Sequence, residues 1–268
     1  MLDKAVILAR GLGTRMRKAD ASVRLTNAEA AAADSGLKAM IPIGRPVLDY
    51  VLTALADAGF VRACLVLGPE HTQVRDYYAA LGSRRIAIDF AVQPEPRGTA
   101  DAVAAAKGFA EGDEVMVINS DNYYPPEAFG RLRALPGGSG LAAFTREGLL
   151  RGNIPPERVR SFAIVQVDRG RLVRIVEKPS DDDLRAMSEP ICVSMNCWRL
   201  GPEIFEACRS IGPSPRGEWE LPLAVDYAMN RMGVAFHCVV VDEPVLDLSH
   251  RSDLAGVKSA LANVEVNL

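Results

Sequence analysis

The chain has 268 residues, of which 49% are hydrophobic and 24% are charged, which is typical of a globular protein and excludes a disordered or collagen-like chain. Lys and Arg number 31 against 34 Asp and Glu, so a broad basic surface for nucleic acid or anionic membrane is excluded. The five scattered cysteines form no C-x-x-C pair, and the sequence shows neither a signal peptide nor about 20 consecutive apolar residues. These features predict a cytoplasmic protein without disulfides, structural zinc or a membrane span.

The first half of the chain alternates apolar runs with helical patterns. Continuous apolar runs are typical of strands buried on both faces, and they predict strands at 4–9, 63–67, 86–92 and 114–119. Helical periodicity or alanine-rich composition predicts helices at 46–59, 73–81 and 99–109. This alternation predicts an α/β fold with a Rossmann-like, doubly wound, mostly parallel sheet, in which ligands bind at the carboxyl ends of the strands.

The second half of the chain is less regular. A hairpin is predicted at 162–177, further strands at 191–198 and 234–241, and helices at 202–208, 221–232 and 251–261. We find no repeat and no linker, so this half is expected to pack onto the first sheet. Residues 18–36 are rich in Ala, Asp and Asn with weak periodicity, and they predict a mobile loop or a short helix.

A glycine-rich turn, Gly11–Arg15 (GLGTR), directly follows the first predicted strand. Glycines let backbone N–H groups approach a phosphate, and Arg15 adds a permanent fork of donors. Met16 stands where a dinucleotide site needs glycine, and no G-K-[ST] of a P-loop occurs. Taken alone, such a turn is as often structural as functional.

Four other segments carry polar groups that suit chemistry. Lys38 alone would be interpreted as a solvated lysine, and Glu177–Lys178 as a surface ion pair, unless they hold phosphate and sugar hydroxyls. In Gln93–Ala100 (QPEPRGTA), Pro and Gly shape a loop and Thr99 is expected to cap the next helix, whereas the amide of Gln93 can pair with a base edge. Asp121 and Asp247 follow apolar runs, where they either bind Mg²⁺ or cap turns.

Together and in this order, these segments resemble the sugar-phosphate nucleotidylyltransferase family, which joins a nucleoside triphosphate to a sugar 1-phosphate and releases pyrophosphate. The resemblance extends from Lys4 to about Leu261. The segments that carry it are Gly11–Met16, Leu37–Ile43, Gln93–Ala100, Asp121–Asn122, Glu177–Pro179, Gly217–Leu221 and Asp247.

The resemblance implies one catalytic domain over residues 1–268. Its nucleotide-binding half would cover about 1–125, and a smaller, β-rich sugar-binding half would cover about 126–268. The implied cofactor is Mg²⁺, and the implied partners are an NTP, with UTP or dTTP favoured, and a sugar phosphate. A homo-oligomer is left open.

The resemblance also implies residue roles. The catalytic residues would be Arg15, Lys38 and Lys178. The nucleotide would be bound by Ala9, Gly11, Gly13, Thr14, Arg15, Gln93, Gly98 and Thr99. The sugar side would be bound by Asn122, Ala163, Glu177, Lys178, Asn196 and Glu220. The metal ligands would be Asp121 and Asp247.

The sequence departs from the family pattern at several points. Arg10 stands where a glycine is usual, and it either contacts phosphate or base or alters the loop. Together with Arg15, Lys38 and Lys178, it is expected to form a small basic pocket. Ala163 replaces a glycine that normally contacts the sugar. The stretch between Arg15 and Lys38 is longer than is typical of the family, which predicts a lid.

Three alternatives remain open at this point. The first keeps the reaction but uses phosphocholine, a phosphonate or a cyclitol phosphate; a choline head would need aromatic residues around it, and Trp198 and Trp219 are the main candidates. The second is a catalytically weakened regulatory protein that binds nucleotide or sugar phosphate. The third, a glycosyltransferase with a related sheet, lacks support because no D-x-D triplet follows the fourth strand.

Overall fold

The computed structural model describes residues 2–187 and 191–268. The strands are β1 (Lys4–Leu8), β2 (Arg62–Leu67), β3 (Ala87–Val92), β4 (Val115–Asn119), β5 (Asn122–Tyr123), β6 (Ser139–Thr145), β7 (Ala163–Asp168), β8 (Arg171–Val176), β9 (Ile191–Leu200), β10 (Phe236–Val241) and β11 (Leu246–Asp247). The helices are α1 (Thr14–Arg17), α2 (Asn27–Ser35), α3 (Val47–Asp57), α4 (Thr72–Leu81), α5 (Thr99–Ala105), α6 (Lys107–Ala110), α7 (Pro126–Arg133), α8 (Arg146–Leu150), α9 (Pro156–Val159), α10 (Asp181–Ala186), α11 (Ile204–Ser210), α12 (Leu221–Met232) and α13 (Asp253–Leu261). A short 3-10 helix covers Lys38–Met40.

In the described part of the chain, nine strands form one mixed sheet in the order β3-β2-β1-β4-β9-β6-β10-β8-β7. Strands β3, β2, β1 and β4 are parallel, whereas β9 is antiparallel to both β4 and β6. The predicted α/β fold with a doubly wound sheet and a β-rich second part is confirmed. The second half differs from the prediction in its packing, because it extends the first sheet through β9 rather than packing onto it.

Helices cover both faces of this sheet, which explains the continuous apolar runs. Successive strand residues point to opposite faces, so a strand that is buried on both faces needs apolar residues throughout. In β1, Ile7 packs into the cluster that contains α3 and α7, whereas Val6 packs into the cluster that contains α5, α11 and α12. The carboxyl end of β1 is thereby fixed in the centre of the sheet.

Several elements were absent from the sequence prediction. Strand β6 has the composition SGLAAFT, whose small residues give weak strand propensity, yet it lies in the interior of the sheet between β9 and β10. The single helix predicted at 99–109 is two helices that meet at Ala106. The short helix considered for 18–36 is α2, and it begins with a capping box in which Thr26 and Glu29 bond each other's backbone.

A small second sheet brings together two distant parts of the chain. Strand β5 pairs antiparallel with β11, and this pairing sets Asn122 opposite Asp247. Leu248 also donates its N–H to the carbonyl of Asp121 at 2.9 Å. The two aspartates of the predicted metal site are therefore neighbours because of backbone pairing. None of the described helices is long and apolar enough to cross a membrane.

Candidate active site

Two adjoining cavities open at the carboxyl edge of the central strands. The first has a volume of about 420 Å³ and the second about 290 Å³. Both cavities are lined by Arg15, Lys38, Thr99, Asn119, Asp121, Asn196 and Glu218. These residues stand at the boundary, so a molecule in one cavity lies next to a molecule in the other.

The cavities bring together all of the predicted site residues. The first is lined by the predicted nucleotide-binding residues, namely Ala9, Gly11, Gly13, Thr14, Arg15, Gln93, Gly98 and Thr99. The second is lined by the predicted sugar-side and metal residues, namely Asn122, Ala163, Glu177, Lys178, Asn196, Glu220, Asp121 and Asp247. Their proximity is observed, whereas their roles stay predictions.

The glycine-rich turn requires its second glycine. Gly13 has φ +59°, and a Cβ there would collide with the backbone of Gly36. The turn leads into α1, where Arg15 stands in the first turn with its side chain exposed. In the part of the chain that the structure describes, the guanidinium of Arg15 makes no hydrogen bond or ion pair, so it is available to a ligand at the boundary of the cavities.

The segment after β3 is tied to the start of α12. Trp219 donates its N–H to the carbonyl of Arg97 and accepts from Ala100 N, each at 2.8 Å. Thr99 was expected to cap its own helix, but its Oγ1 accepts from Leu221 N at 2.8 Å and therefore caps α12. The loop after β3 and the loop before α12 thus form one wall.

Gly98 cannot carry a side chain at this junction. It has φ +128°, and a Cβ would lie 2.5 Å from the carbonyl oxygen of Trp219. We expect Gly98→Ala to lower the free energy of unfolding by at least about 1 kcal/mol, because alanine is strained at this φ. Urea unfolding measures the change, and the matched control is Gly108→Ala in α6, where no heavy atom lies within 4 Å of the added Cβ. Equal stability of the two variants would contradict the conclusion that Gly98 has no room for a side chain.

Gln93 presents only one of its two polar ends to the first cavity. Its Nε2 donates to the carbonyl of Gly98 at 3.0 Å and to the carboxylate of Asp101 at 2.8 Å. Because both partners are acceptors, they fix the NH₂ group on that side. The sequence predicted that the amide would offer a base edge one donor and one acceptor. In the structure the donor is used within the protein, so only the acceptor, Oε1, is left for a base.

Arg10 lines the first cavity with Arg15 and Lys38, but its guanidinium is already engaged by other groups of the protein. Its Nε donates to the carbonyl of Gln93 at 2.8 Å, Nη2 donates to the carbonyl of Pro94 at 3.2 Å, and Nη1 pairs with Glu70 at 2.7 Å. The side chain is buried, and its charge is balanced by that carboxylate. Of the two readings left open for Arg10, the structure supports the altered loop.

Asp121 stands at the boundary of the two cavities, and Asp247 lines the second cavity. Lys38 pairs with Asp121 through an Nζ–Oδ2 distance of 2.6 Å. Asp247 is buried, and its Oδ1 accepts from Asn122 Nδ2 at 2.9 Å and from Ser249 Oγ at 3.1 Å. Its Oδ2 is also buried but accepts no hydrogen bond.

Two residues that no sequence motif had indicated, Asn153 and Arg158, contact Asp247. Asn153 accepts from the N–H of Asp247 at 2.9 Å and donates to its carbonyl at 2.7 Å. The buried guanidinium of Arg158 lies 3.3 Å from Asp247 Oδ2, near enough for charge attraction but not aligned for a hydrogen bond. Arg158 is itself held by both carboxylate oxygens of Asp253 at 2.9 Å.

Burial, together with the neighbouring charge of Asp121, raises the pKa of Asp247 to about 6. Between the unfolded pKa of about 4 and this value, the folded protein binds the extra proton, so stability falls as the pH rises through that window. We expect the stability of Asp247→Asn relative to the wild type to rise by about 2 to 3 kcal/mol between pH 4 and pH 7.5. Urea unfolding at both pH values, with a chelator present, measures this change. A stability difference between Asp247→Asn and the wild type that does not change with pH would contradict the raised pKa of Asp247.

Acidic side chains line the far end of the second cavity. Arg216 pairs with Glu220 and lies 3.8 Å from a carboxylate oxygen of Glu177. Burial raises the pKa of Glu177, although its side chain remains 24% exposed. Lys178 follows in a left-handed conformation with φ +46°. Arg216 and Glu218 were missed as site residues, although Glu218 lies within the Gly217–Leu221 segment that carried the resemblance.

Three asparagines form a network below the two cavities. Asn119 donates to Asn122 Oδ1 at 2.9 Å, and Asn196 Nδ2 lies 3.4 Å from Asn119 Oδ1. Both polar ends of the Asn122 side chain are engaged, so in this state it orients Asp247. Asn196 has φ +55°, a conformation that asparagine tolerates better than most residues, and it faces both cavities.

The mixed sheet, with a glycine-rich turn and paired aspartates at its edge, defines the fold of nucleotide-diphospho-sugar transferases. A crystal structure of UDP-glucose pyrophosphorylase complexed with UDP-glucose matches with a TM-score of 0.75 and 18% identity over 99% of this chain and 100% of that chain. The enzyme of the same name from Acinetobacter baumannii matches with a TM-score of 0.73 and 18% identity over 99% and 96%. The chain belongs to the nucleotidyl transferase family, which residues 4–257 match. The resemblance drawn from the motifs is thereby confirmed.

Curated relatives fall in the same family. The UTP–glucose-1-phosphate uridylyltransferase AglF of Haloferax volcanii is 26% identical over 93% of each chain. A glucose-1-phosphate thymidylyltransferase of Streptomyces griseus is 27% identical over 85% of this chain and 57% of its own length. The chain spans only 45% of another relative, the bifunctional protein GlmU of Methanococcus vannielii, at 26% identity.

Proposed function

We propose that this protein joins a nucleoside triphosphate, UTP or dTTP, to a sugar 1-phosphate and releases pyrophosphate. The observation that carries the proposal is the boundary between the two cavities. Arg15, Lys38 and Asp121 line both cavities there, so two cations that suit phosphate and a carboxylate that suits a divalent cation lie between the two cavities. The whole chain, 1–268, would act as one catalytic unit in the cytoplasm.

The first cavity suits a uracil or thymine base. The Oε1 acceptor of Gln93 matches the N3–H donor of these bases, whereas cytosine presents an acceptor at the same position. The relatives named for UTP and for thymidylyl transfer agree with this choice. UTP and dTTP are therefore expected to be used in preference to CTP.

The second cavity suits a sugar better than a choline head. Trp198 is fully buried in the core, and Trp219 packs against the Arg97 side chain, so neither tryptophan lines this cavity. Its polar lining consists largely of carboxylates, amides and hydroxyls, which bind the hydroxyl groups of a sugar. Phe162 is the one aromatic residue among the described residues that line this cavity, whereas a choline head would need several aromatic residues around it.

The reaction needs alignment rather than a general base. A sugar 1-phosphate has a second pKa near about 6, so its oxygen is already a competent nucleophile at neutral pH. Lys178 would hold this phosphate and Glu177 the sugar hydroxyls, so that the oxygen faces the α-phosphorus. Arg15 would bind the β- and γ-phosphates and stabilise the negative charge that develops on the leaving pyrophosphate. Lys38 would bind the α-phosphate.

The two aspartates fit a Mg²⁺ ion that arrives with the nucleotide. Asp247 Oδ2 is a buried oxygen that accepts no hydrogen bond, and burial together with the charge of Asp121 raises the pKa of Asp247. A cation between the two aspartates would give Oδ2 a partner and would offset the repulsion between the two carboxylates. Among the described residues, no group of three or more His, Cys, Asp or Glu gathers, which suits an ion that takes its remaining ligands from phosphates and water. When bound, Mg²⁺ would neutralise charge on the phosphate oxygens.

A panel assay tests this proposal against the two alternatives of a regulatory protein and a phosphocholine acceptor. Pyrophosphate release is measured for UTP, dTTP, CTP, ATP and GTP, each with a set of sugar and alcohol phosphates and Mg²⁺. We expect release with UTP or dTTP and a hexose 1-phosphate. Release of pyrophosphate from no pair would favour a regulatory protein that binds these ligands without turnover. Release with phosphocholine alone would show that the acceptor is phosphocholine rather than a sugar phosphate.

A further inference from the structure

Arg251 joins three segments that are distant in sequence. It lies four residues after Asp247, and its side chain is 11% exposed. Its Nε donates to the carbonyl of Met16 at 2.9 Å, and Nη2 donates to the carbonyl of Arg17 at 3.3 Å. Nη2 also pairs with Asp34 at 2.5 Å. One guanidinium therefore holds the ends of both α1 and α2.

The first two partners are the last carbonyls of α1. Carbonyl groups at a helix C-terminus have no partner within the helix, and a cation satisfies both their hydrogen bonds and the helix dipole. Helix α1 has only four residues, so it depends on outside contacts for its stability. The direction in which α1 presents Arg15 is therefore set in large part by Arg251.

The third partner fixes the end of α2 against the glycine-rich turn. Gly36 ends α2, and its backbone lies so close to Gly13 that Gly13 has no room for a Cβ. A Cβ on Gly36 would in turn collide with the carbonyl oxygen of Leu12 in the same turn. The carbonyl of Gly36 then accepts from the N–H of Lys38 at 2.9 Å. The end of α2 thus lies between the turn that leads to Arg15 and the residue that pairs with Asp121.

Helix α2 is docked on α13 rather than free. Glu29 pairs with Lys258 at 2.5 Å. Below this ion pair, Met16 and Ala33 pack in one apolar cluster with Leu254 of α13. In this structure the segment that was expected to be a lid is docked, and Arg251 is one of two links from it to α1. The other is Arg17, whose Nη2 donates to the carbonyl of Ser35 at 2.7 Å.

We propose that Arg251 is a positioning residue that fixes Arg15 and Lys38 for the phosphates of the nucleotide. The inference rests on the proposed function for the identity of the ligand. Arg251 does not line either cavity, so it acts through the groups that it holds. Because sugar-side Glu177 and Lys178 belong to another part of the fold, its loss affects the nucleotide and leaves sugar binding unchanged.

The test compares Arg251→Met with Arg251→Lys and with a matched control, Lys258→Met. The control removes an ion pair of the same α2–α13 interface without touching α1. For Arg251→Met, we expect UTP binding, measured by calorimetry, to weaken about tenfold and kcat to fall by at least about tenfold, since small displacements of aligned groups cost rate steeply. The KM for glucose 1-phosphate is expected to change by less than about twofold.

Arg251→Lys is expected to recover part of the loss, because one ammonium can reach one of the three acceptors. A wild-type affinity for UTP and a wild-type kcat in Arg251→Met would overturn the proposal. So would an equal rise in both KM values, which would indicate general damage.

A measurement that does not depend on turnover separates this proposal from the proposed function. Amide hydrogen exchange at Arg17, Lys18 and Gly36 is expected to be faster in Arg251→Met and unchanged in Lys258→Met. If the wild type releases pyrophosphate from no substrate pair, the proposed function fails, whereas exchange still decides whether Arg251 orders the phosphate-binding turn. Unchanged exchange in Arg251→Met would overturn the positioning role.

Discussion

Asp121→Ala is expected to lower kcat by at least about a hundredfold, the scale of losing one key electrostatic group in an active site. Asp121 lines both cavities, pairs with Lys38 and lies beside Asp247. Without its carboxylate, the proposed divalent ion would lose one of its two protein ligands, and Lys38 would lose the partner with which it pairs. Steady-state pyrophosphate release at saturating substrates measures the change.

Two further variants make this prediction specific. Asp121→Asn keeps the shape of the side chain and removes its charge, so it is expected to lose nearly as much activity as the alanine variant. The control is Asp182→Ala, whose carboxylate is 90% exposed, pairs with Arg185 and lines neither cavity, and which is expected to behave as the wild type. Near-normal turnover of Asp121→Asn would contradict the proposed metal site.

Arg15→Ala is the second large effect, and we again expect kcat to fall by at least about a hundredfold. The guanidinium stands at the boundary of the cavities, where charge would develop on the leaving pyrophosphate. Since it makes no hydrogen bond or ion pair within the described residues, its removal should leave the folded state undisturbed. An unchanged Tm together with a large loss of kcat is therefore the expected signature.

The matched controls for this variant are Arg15→Lys and Arg160→Ala. Lysine keeps the charge but cannot form the two parallel hydrogen bonds of a guanidinium, so partial activity is expected. Arg160 is 71% exposed, and its removal is expected to leave kcat unchanged. If Arg15→Ala retained normal kcat and showed only a raised KM for UTP, Arg15 would bind the ground state and the transition state equally and would not act on the leaving pyrophosphate.

Much of the sheet was predictable because its strands are buried on both faces. The run KAVIL in β1 is apolar at successive positions, since Val6 and Ile7 pack against helices on opposite sides. Strand β6 escaped prediction because its neighbours β9 and β10 stabilise it, and its own small residues do not. Tertiary context overrides local propensity at that position.

The site was predictable where residues occur in ordered motifs and not where they support others. Asp247 was found through the motifs, but its neighbours Asn153 and Arg158 come from a segment without pattern, and only the folded chain brings them to it. The engagement of Gln93 by Asp101 is likewise a spatial fact, and it changes which bases the amide can read. The segment 18–36 had a capping signal at Thr26 and Glu29, which could have predicted α2.

The most direct test is phosphorus NMR of the wild-type protein with UTP, glucose 1-phosphate and Mg²⁺. We expect NDP-sugar and pyrophosphate to appear in equal amounts, with no inorganic phosphate, and we expect neither product when glucose 1-phosphate is omitted. Inorganic phosphate as the product, or loss of UTP without a sugar phosphate, would contradict direct transfer between the two cavities.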